Sequence, residues 1–314
     1  MHPPLSMIFF TTLTGAAQGL LLALVALDAA ARLGHGSFGS HVALAGAAVV
    51  LVLSAIGLVA ASFHLGHPMR AWRAVSQWRT SWLSREVIVL PAFMFCVAAW
   101  GASHAWDGLP LVGSGIGWGL AASVLALLLY LCTGMIYGAI KAIRQWATPL
   151  TPVNYLILGL ASGSLLAAAV MAVWLPQRAP LLAAVALVLT VLGAATRGYF
   201  LWRGLNLVPK TTLQSAIGAR HPRIRQTAQG AMGGGFNARE FFHGRSAQAV
   251  LTIRWTAGVL GFVLPAVALA AGAGQAGPLT LGLLFAVQYG GLLAERWSFF
   301  AEGRHTQTLY GQSD

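Results

Sequence analysis

Long apolar stretches alternate with short polar connections along this chain, and the alternation recurs eight times. Each stretch has roughly the 20 predominantly apolar residues that a helix needs to cross a bilayer. The predicted spans are 6–27, 42–63, 86–105, 116–138, 153–175, 181–202, 249–271 and 277–297. One connection is long, about 203–248, and it is polar and glycine-rich, with Gly230, Gly233, Gly234 and Gly235. No internal repeat interrupts the pattern, so residues 1–314 read as a single membrane domain. The expected fold is an all-α integral membrane bundle of eight transmembrane helices.

Composition agrees with the pattern. The chain is 57% hydrophobic and 8% charged, against about 25% charged in an average soluble domain. The first apolar stretch follows a short lead, Met1 to Leu5. It is too long for the core of a signal peptide and reads as the first span. Cys96 and Cys132 both fall inside spans, without metal-knuckle or CxxC spacing, and read as small buried hydrophobes.

The formal charge of +12 acquires a meaning once the spans are drawn. On the side that carries the N-terminus lie Arg70, Arg73, Arg79, Arg85, Lys141, Arg144, Arg203, Lys210, Arg220, Arg223, Arg225, Arg239, Arg245, Arg296 and Arg304, 15 of the 19 basic residues. The opposite side holds Arg32 and Arg178, while Arg197 and Arg254 fall within spans. Basic residues accumulate on the cytoplasmic side of membrane proteins. Both termini and the loops 64–85, 139–152 and 203–248 are therefore expected in the cytoplasm. The charge reflects sidedness, and no nucleic acid is expected as a partner. Trp72, Trp78 and Trp82 crowd the 64–85 connection, as amphipathic rings do at the headgroup level.

Ionisable groups at or near membrane depth are costly, so each calls for a reason. His64 ends the second predicted span and Glu86 opens the third on the same side. A histidine and a partly desolvated carboxyl at one membrane face can exchange protons near neutral pH. Structural readings compete: Glu86 as a first-turn acid with Ser84 as cap, and His64 as an interfacial histidine. Arg197 can snorkel to the interface, Glu295–Arg296 can be an end-of-helix pair, and Pro265 implies a kink in span seven.

Haem b needs two histidines at depth on facing helices. The nine histidines lie in loops or at span ends, so no haem is expected. The chain carries no metal-site spacing, no iron–sulfur cysteine cluster, no phosphate-binding loop and no dinucleotide fingerprint. Electron chemistry would need a partner with its own redox centres.

The run His64-Leu65-Gly66-x-Pro68-Met69-Arg70-Ala71, followed by Ser84-x-Glu86, resembles the signature of the dimethyl sulfoxide reductase membrane-anchor family. The eight-span layout and Glu295-Arg296 followed by Phe299-Phe300 fit the same family. The stretches Thr148-Pro149-Leu150-Thr151-Pro152-Val153-Asn154-Tyr155 and Gly235-Phe236-Asn237-Ala238-Arg239-Glu240-Phe241-Phe242-His243-Gly244 resemble the branch that anchors cytoplasmic sulfite:quinone oxidoreductases.

The resemblance implies a three-subunit complex. A molybdopterin catalytic subunit and an iron–sulfur subunit with four clusters would sit on the membrane face of this chain. The cofactor met by the chain itself would be quinone, ubiquinone or menaquinone, with clusters and molybdopterin confined to the partners. It further implies that His64 and Glu86 handle the protons, as groups within hydrogen-bond reach of the quinone oxygens. Arg70 or Arg85 would hold Glu86 ionised or steady a semiquinone anion, and Trp72, Trp78 and Trp82 would flank the ring, a role that competes with the interfacial belt. Arg73, Arg79, Arg239, Glu240 and His243 would serve partner docking. Three other readings stay open at this point: a sulfoxide-reducing complex that oxidises quinol, an anchor whose partner binds most of the quinone, and a membrane transporter. The transporter reading predicts paired repeats and midplane polar groups, which the sequence lacks.

Overall fold

The computed structural model describes residues 5–63, 65–105, 115–208, 212–221, 223–224 and 246–303, and these contain helices and turns but no strand. Eight helical segments are long and apolar enough to cross a membrane. They comprise α1 (Leu5–Arg32), α2 (Ser40–Ser62), α3 (Trp82–Ala105), α4 (Gly115–Gly138), α5 (Leu150–Trp174), α6 (Ala179–Leu205), the pair α8 (Ala247–Gly258) and α9 (Leu264–Ala270), and α10 (Pro278–Ala301). A five-residue helix α7 (Leu213–Ile217) lies in the long connection.

Helices α1 and α5 form the centre of the bundle, α1 in contact with α2, α4, α5 and α10, and α5 with α1, α4, α6 and α10. Close approach of α1 and α5 depends on small residues at matching spacing, Gly15 and Gly19 facing Gly159 and Gly163. A Cβ at Gly19 would meet the backbone oxygen of Gly159 and the Cα of Gly163. In lipid, helix association rests on such packing and on interhelical hydrogen bonds, because lipid tails are as apolar as leucine. The hydrogen bonds are present too. Tyr130 of α4 donates to the Gly15 carbonyl at 2.7 Å, Gln288 of α10 donates to Thr190 of α6 at 2.9 Å, and the Thr12 and Tyr289 hydroxyls lie 3.0 Å apart.

Two boundaries differ from the sequence expectation in ways that matter for the site. Helix α3 starts at Trp82, not at residue 86, because Ser81 caps it: its hydroxyl accepts from the Ser84 N–H at 3.3 Å. Glu86 therefore sits more than a turn inside the helix, and the cap is Ser81 instead of Ser84. The kink expected at Pro265 takes the form of a π turn, Val259–Val263, between α8 and α9. Proline lacks an N–H and its ring crowds the carbonyl of residue i−4, here Gly261. A widened turn at Gly261 absorbs both effects and seats that glycine against Gly291 of α10.

A second hydrophobic cluster closes the end of the bundle where α4, α5, α6 and α10 meet. Tyr137, Ile143, Trp146, Tyr155, Phe200, Phe299 and Phe300 fill it. The 139–149 connection folds back into this cluster: Trp146 donates from Nε1 to the Phe299 carbonyl at 2.9 Å, and Thr151 donates to the Trp146 carbonyl at 2.7 Å.

Candidate functional site

Glu86 projects from the second turn of α3 into the bundle and is 3% exposed. Its hydrogen-bond donor is the Thr133 hydroxyl of α4. A carboxyl taken out of water needs either a counter-charge or a proton. The residue against Glu86 is a neutral hydroxyl, which suits a group that takes up and releases a proton.

Arg85, the next residue back along α3, is turned away. Its guanidinium donates to the carbonyls of Trp78 and Arg79 at 2.9 and 2.8 Å and lies 4.2 Å over the Trp82 ring. This corrects the expectation that Arg85 holds Glu86 ionised: the arginine fixes the turn before α3, and Trp82 is its stacking partner. Arg70 is exposed on the 3-10 segment Pro68–Gln77, and no ion pair joins it to Glu86 among the described residues.

That segment and the turn after it form an exposed basic and aromatic face. Arg73 stacks on Trp72 at 5.6 Å and Arg79 on Trp78 at 5.4 Å, all four side chains being exposed. His64, Arg239, Glu240 and His243 lie outside the described residues. The proximity of His64 to Glu86 therefore stays an expectation from sequence.

A polar track crosses the bundle, beginning at Tyr137 of α4 and Tyr155 of α5. Those two rings stack with centroids 5.9 Å apart, and the Arg296 guanidinium covers Tyr155 at 3.7 Å. Beyond Arg296 runs a chain of buried ion pairs. Arg296 is 3.6 Å from Glu295, and Glu295 is 2.7 Å from Arg197 of α6. Arg197 is 3.2 Å from Glu302, which is in turn 3.2 Å from Arg254 of α8. Burial raises the Glu302 carboxyl above its ordinary range, against the pull of Arg197 and Arg254.

Sequence reasoning gave Arg197 and the Glu295–Arg296 pair only local roles, and neither Arg254 nor Glu302 a role at all. Charges inside apolar spans were the available signal. Their convergence was not visible, since Arg197 and Glu302 are 105 residues apart and Arg254 stands on a third element, α8.

The opposite end of the bundle holds one further buried acid. Asp28 of α1 accepts from Trp100 Nε1 at 3.0 Å and from Arg32 Nε at 2.9 Å, with His104 Nε2 at 3.2 Å. This ties α1 to α3 and leaves His104 engaged with its neighbours. Cys96 and Cys132 are free and buried, and no group of three metal-binding side chains occurs among the described residues.

Comparison with known proteins extends the picture. Residues 1–218 match the model of a family described as the DMSO reductase anchor subunit. A sulfite dehydrogenase subunit of Allochromatium vinosum is 46% identical over 325 residues, covering 100% of this chain and 99% of that protein. The matched region 1–218 includes Glu86, Thr133, Tyr155 and Arg197, whereas Arg254, Glu295, Arg296 and Glu302 lie beyond it.

Proposed function

Because the chain belongs to the DMSO reductase anchor-subunit family, we propose that it is the quinone-reactive membrane subunit of a sulfite-oxidising molybdopterin/iron–sulfur complex. The full-length similarity to a sulfite dehydrogenase subunit supports the choice of sulfite. The observation that carries the quinone reading is Glu86, a buried carboxyl whose donor is a hydroxyl and not a guanidinium.

The donors present fit a quinone ring, which is apolar on its faces and needs proton-bearing groups at its oxygens. Quinone, when bound, accepts two electrons and two protons. Glu86 would hold one proton at its carboxyl, and Thr133 would keep that carboxyl in a single orientation by donating to Oε1. His64 would deliver the other proton. Electrons would come from sulfite, oxidised to sulfate at the molybdenum of a separate subunit, and pass through the clusters of a four-cluster iron–sulfur subunit.

The Arg73/Trp72 and Arg79/Trp78 pairs, together with exposed Arg70, supply a positively charged docking face for that subunit. Arg239, Glu240 and His243 would contribute from the long connection. The excess of basic residues on this side supports a cytoplasmic position for the docking face and both termini, at a bacterial inner membrane.

The description of the matched family favours a second reading, a sulfoxide-reducing complex in which quinol is oxidised. A tag on this chain, mild-detergent purification and assay of the copurifying complex separate the two. We expect a molybdenum subunit and an iron–sulfur subunit, with sulfite-dependent quinone reduction. Copurification with sulfoxide-dependent quinol oxidation, and no sulfite activity, would select the second reading. Recovery of the chain without redox subunits would contradict both.

A further inference from the structure

Between α6, α8, the π turn and α10 lies a cavity of about 240 Å³. One wall is charged, with Arg197, Arg254, Glu295 and Glu302, and the other is apolar, with Leu201 and Phe262. Five buried polar atoms at this wall lack a hydrogen-bond partner among the described residues; Arg254 Nε, Glu295 Oε2 and Glu302 Oε1 still face an ion-pair partner, whereas Nη1 of Arg197 and the hydroxyl of Ser298 face none. Arg197 and Ser298 both line the cavity and are more than nine-tenths buried. Unpaired buried donors are costly, and a ligand with acceptor oxygens would satisfy them.

The charge balance narrows the ligand. The ion-pair chain contains three arginines, Arg197, Arg254 and Arg296, against two glutamates, Glu295 and Glu302. With both acids ionised it carries one excess positive charge inside a membrane bundle. A monoanion cancels that charge, whereas a neutral ligand leaves it. Position narrows the ligand further. Arg254 is 34% exposed at its side chain on the flank of α8, beside the outward-facing apolar residues Leu251, Trp255 and Val259. It lies seven residues into α8 from Ala247, about 10 Å along the axis. From that depth the long arginine side chain can reach back toward the headgroup level, where the phosphate of a lipid whose chains run along α8 and α9 would lie. The cavity has room for such a head and none for two acyl chains. The π turn, of the kind frequent at functional sites, opens the α8 side of the cavity.

We propose that this cavity is a binding site for the phosphodiester head of an anionic phospholipid, held by Arg197, Arg254 and Ser298. It stands independently of the quinone reading, because neither Glu86 nor His64 takes part.

The test is native mass spectrometry of the full chain in detergent after delipidation. Phosphatidylglycerol, phosphatidylcholine and inorganic phosphate are titrated separately. The unmodified chain should bind one phosphatidylglycerol at least about tenfold more tightly than phosphatidylcholine, and inorganic phosphate more weakly still. R254Q should weaken phosphatidylglycerol binding about tenfold, in line with loss of one charged hydrogen bond, and R254K should recover part of it. Ser298→Ala, a deletion of one hydroxyl, should weaken binding less and carries the variant test if R254Q does not fold. Equal binding of the two lipids, unchanged affinity in R254Q and Ser298→Ala, or inorganic phosphate binding as tightly as the lipid would each overturn the assignment.

Discussion

At the scale of single residues, charge inside the bundle sorts into two chemical situations. Glu86 faces a hydroxyl, while Glu295 and Glu302 face guanidinium groups. The first arrangement leaves the carboxyl free to change protonation state, whereas the second gives each carboxyl a positively charged partner. Removing one member of a buried ion pair strands the other and costs about 3–5 kcal/mol. Glu295→Gln should lower stability by less than that, because Arg197 loses its 2.7 Å partner but keeps Glu302 at 3.2 Å. Thermal unfolding in detergent reads the effect, and an unchanged midpoint would show that the pair contributes nothing. Arg85 illustrates how far spacing alone misleads. It is adjacent to Glu86 in sequence, yet its guanidinium is engaged by the Trp78 and Arg79 carbonyls.

At the scale of elements, the spans were legible because about 20 apolar residues in a row have few other uses. All eight expected spans coincide with helices. What the pattern could not show was where helices begin and how they are interrupted. Ser84 and Arg85 make the start of α3 look like loop, but Ser81 caps the helix and Arg85 bonds back to the preceding turn. Proline at 265 signalled a bend, and hydrophobic periodicity does not distinguish a kinked α-helix from a π turn. The candidate site was half legible for a related reason. Glu86 was visible as a lone acid at a span boundary, whereas Thr133 is one of many hydroxyls and nothing near it in sequence marks it as a partner.

The contact between α1 and α5 makes a sharp prediction at this scale. Gly19→Ala would drive a methyl into the Gly159 backbone, and overpacking of this kind costs about 1–3 kcal/mol. Gly282 of α10 has open space where a Cβ would stand, so Gly282→Ala serves as the matched control and should be neutral or stabilising. A lowered melting temperature for the first variant alone is the expected result. Equal melting temperatures would show that the two helices do not need glycine at their crossing.

At the scale of the whole molecule, the bundle is a sided object. Among the described residues, Arg85, Arg144, Arg203 and the Arg–Trp face of residues 72–79 belong to one end, with Asp28 and His104 at the other. On the proposed orientation, a periplasm-active reporter fused after Gly36 or Arg178 should be active. The same reporter fused after Gln77 or Gly218 should be silent. The reverse pattern would turn the docking face outward and remove the cytoplasmic complex from the account.

The central claim is that this chain passes electrons to quinone with Glu86 handling a proton. It is tested most directly by Glu86→Gln in the purified complex, with sulfite as donor and either quinone or an artificial dye as acceptor. Glutamine keeps the size of the side chain and its hydrogen bonding with Thr133 but cannot exchange a proton at that atom. Quinone reduction should slow by about 10²–10⁴-fold, with dye-linked sulfite oxidation unchanged. Full quinone activity in the Glu86→Gln complex would contradict the claim.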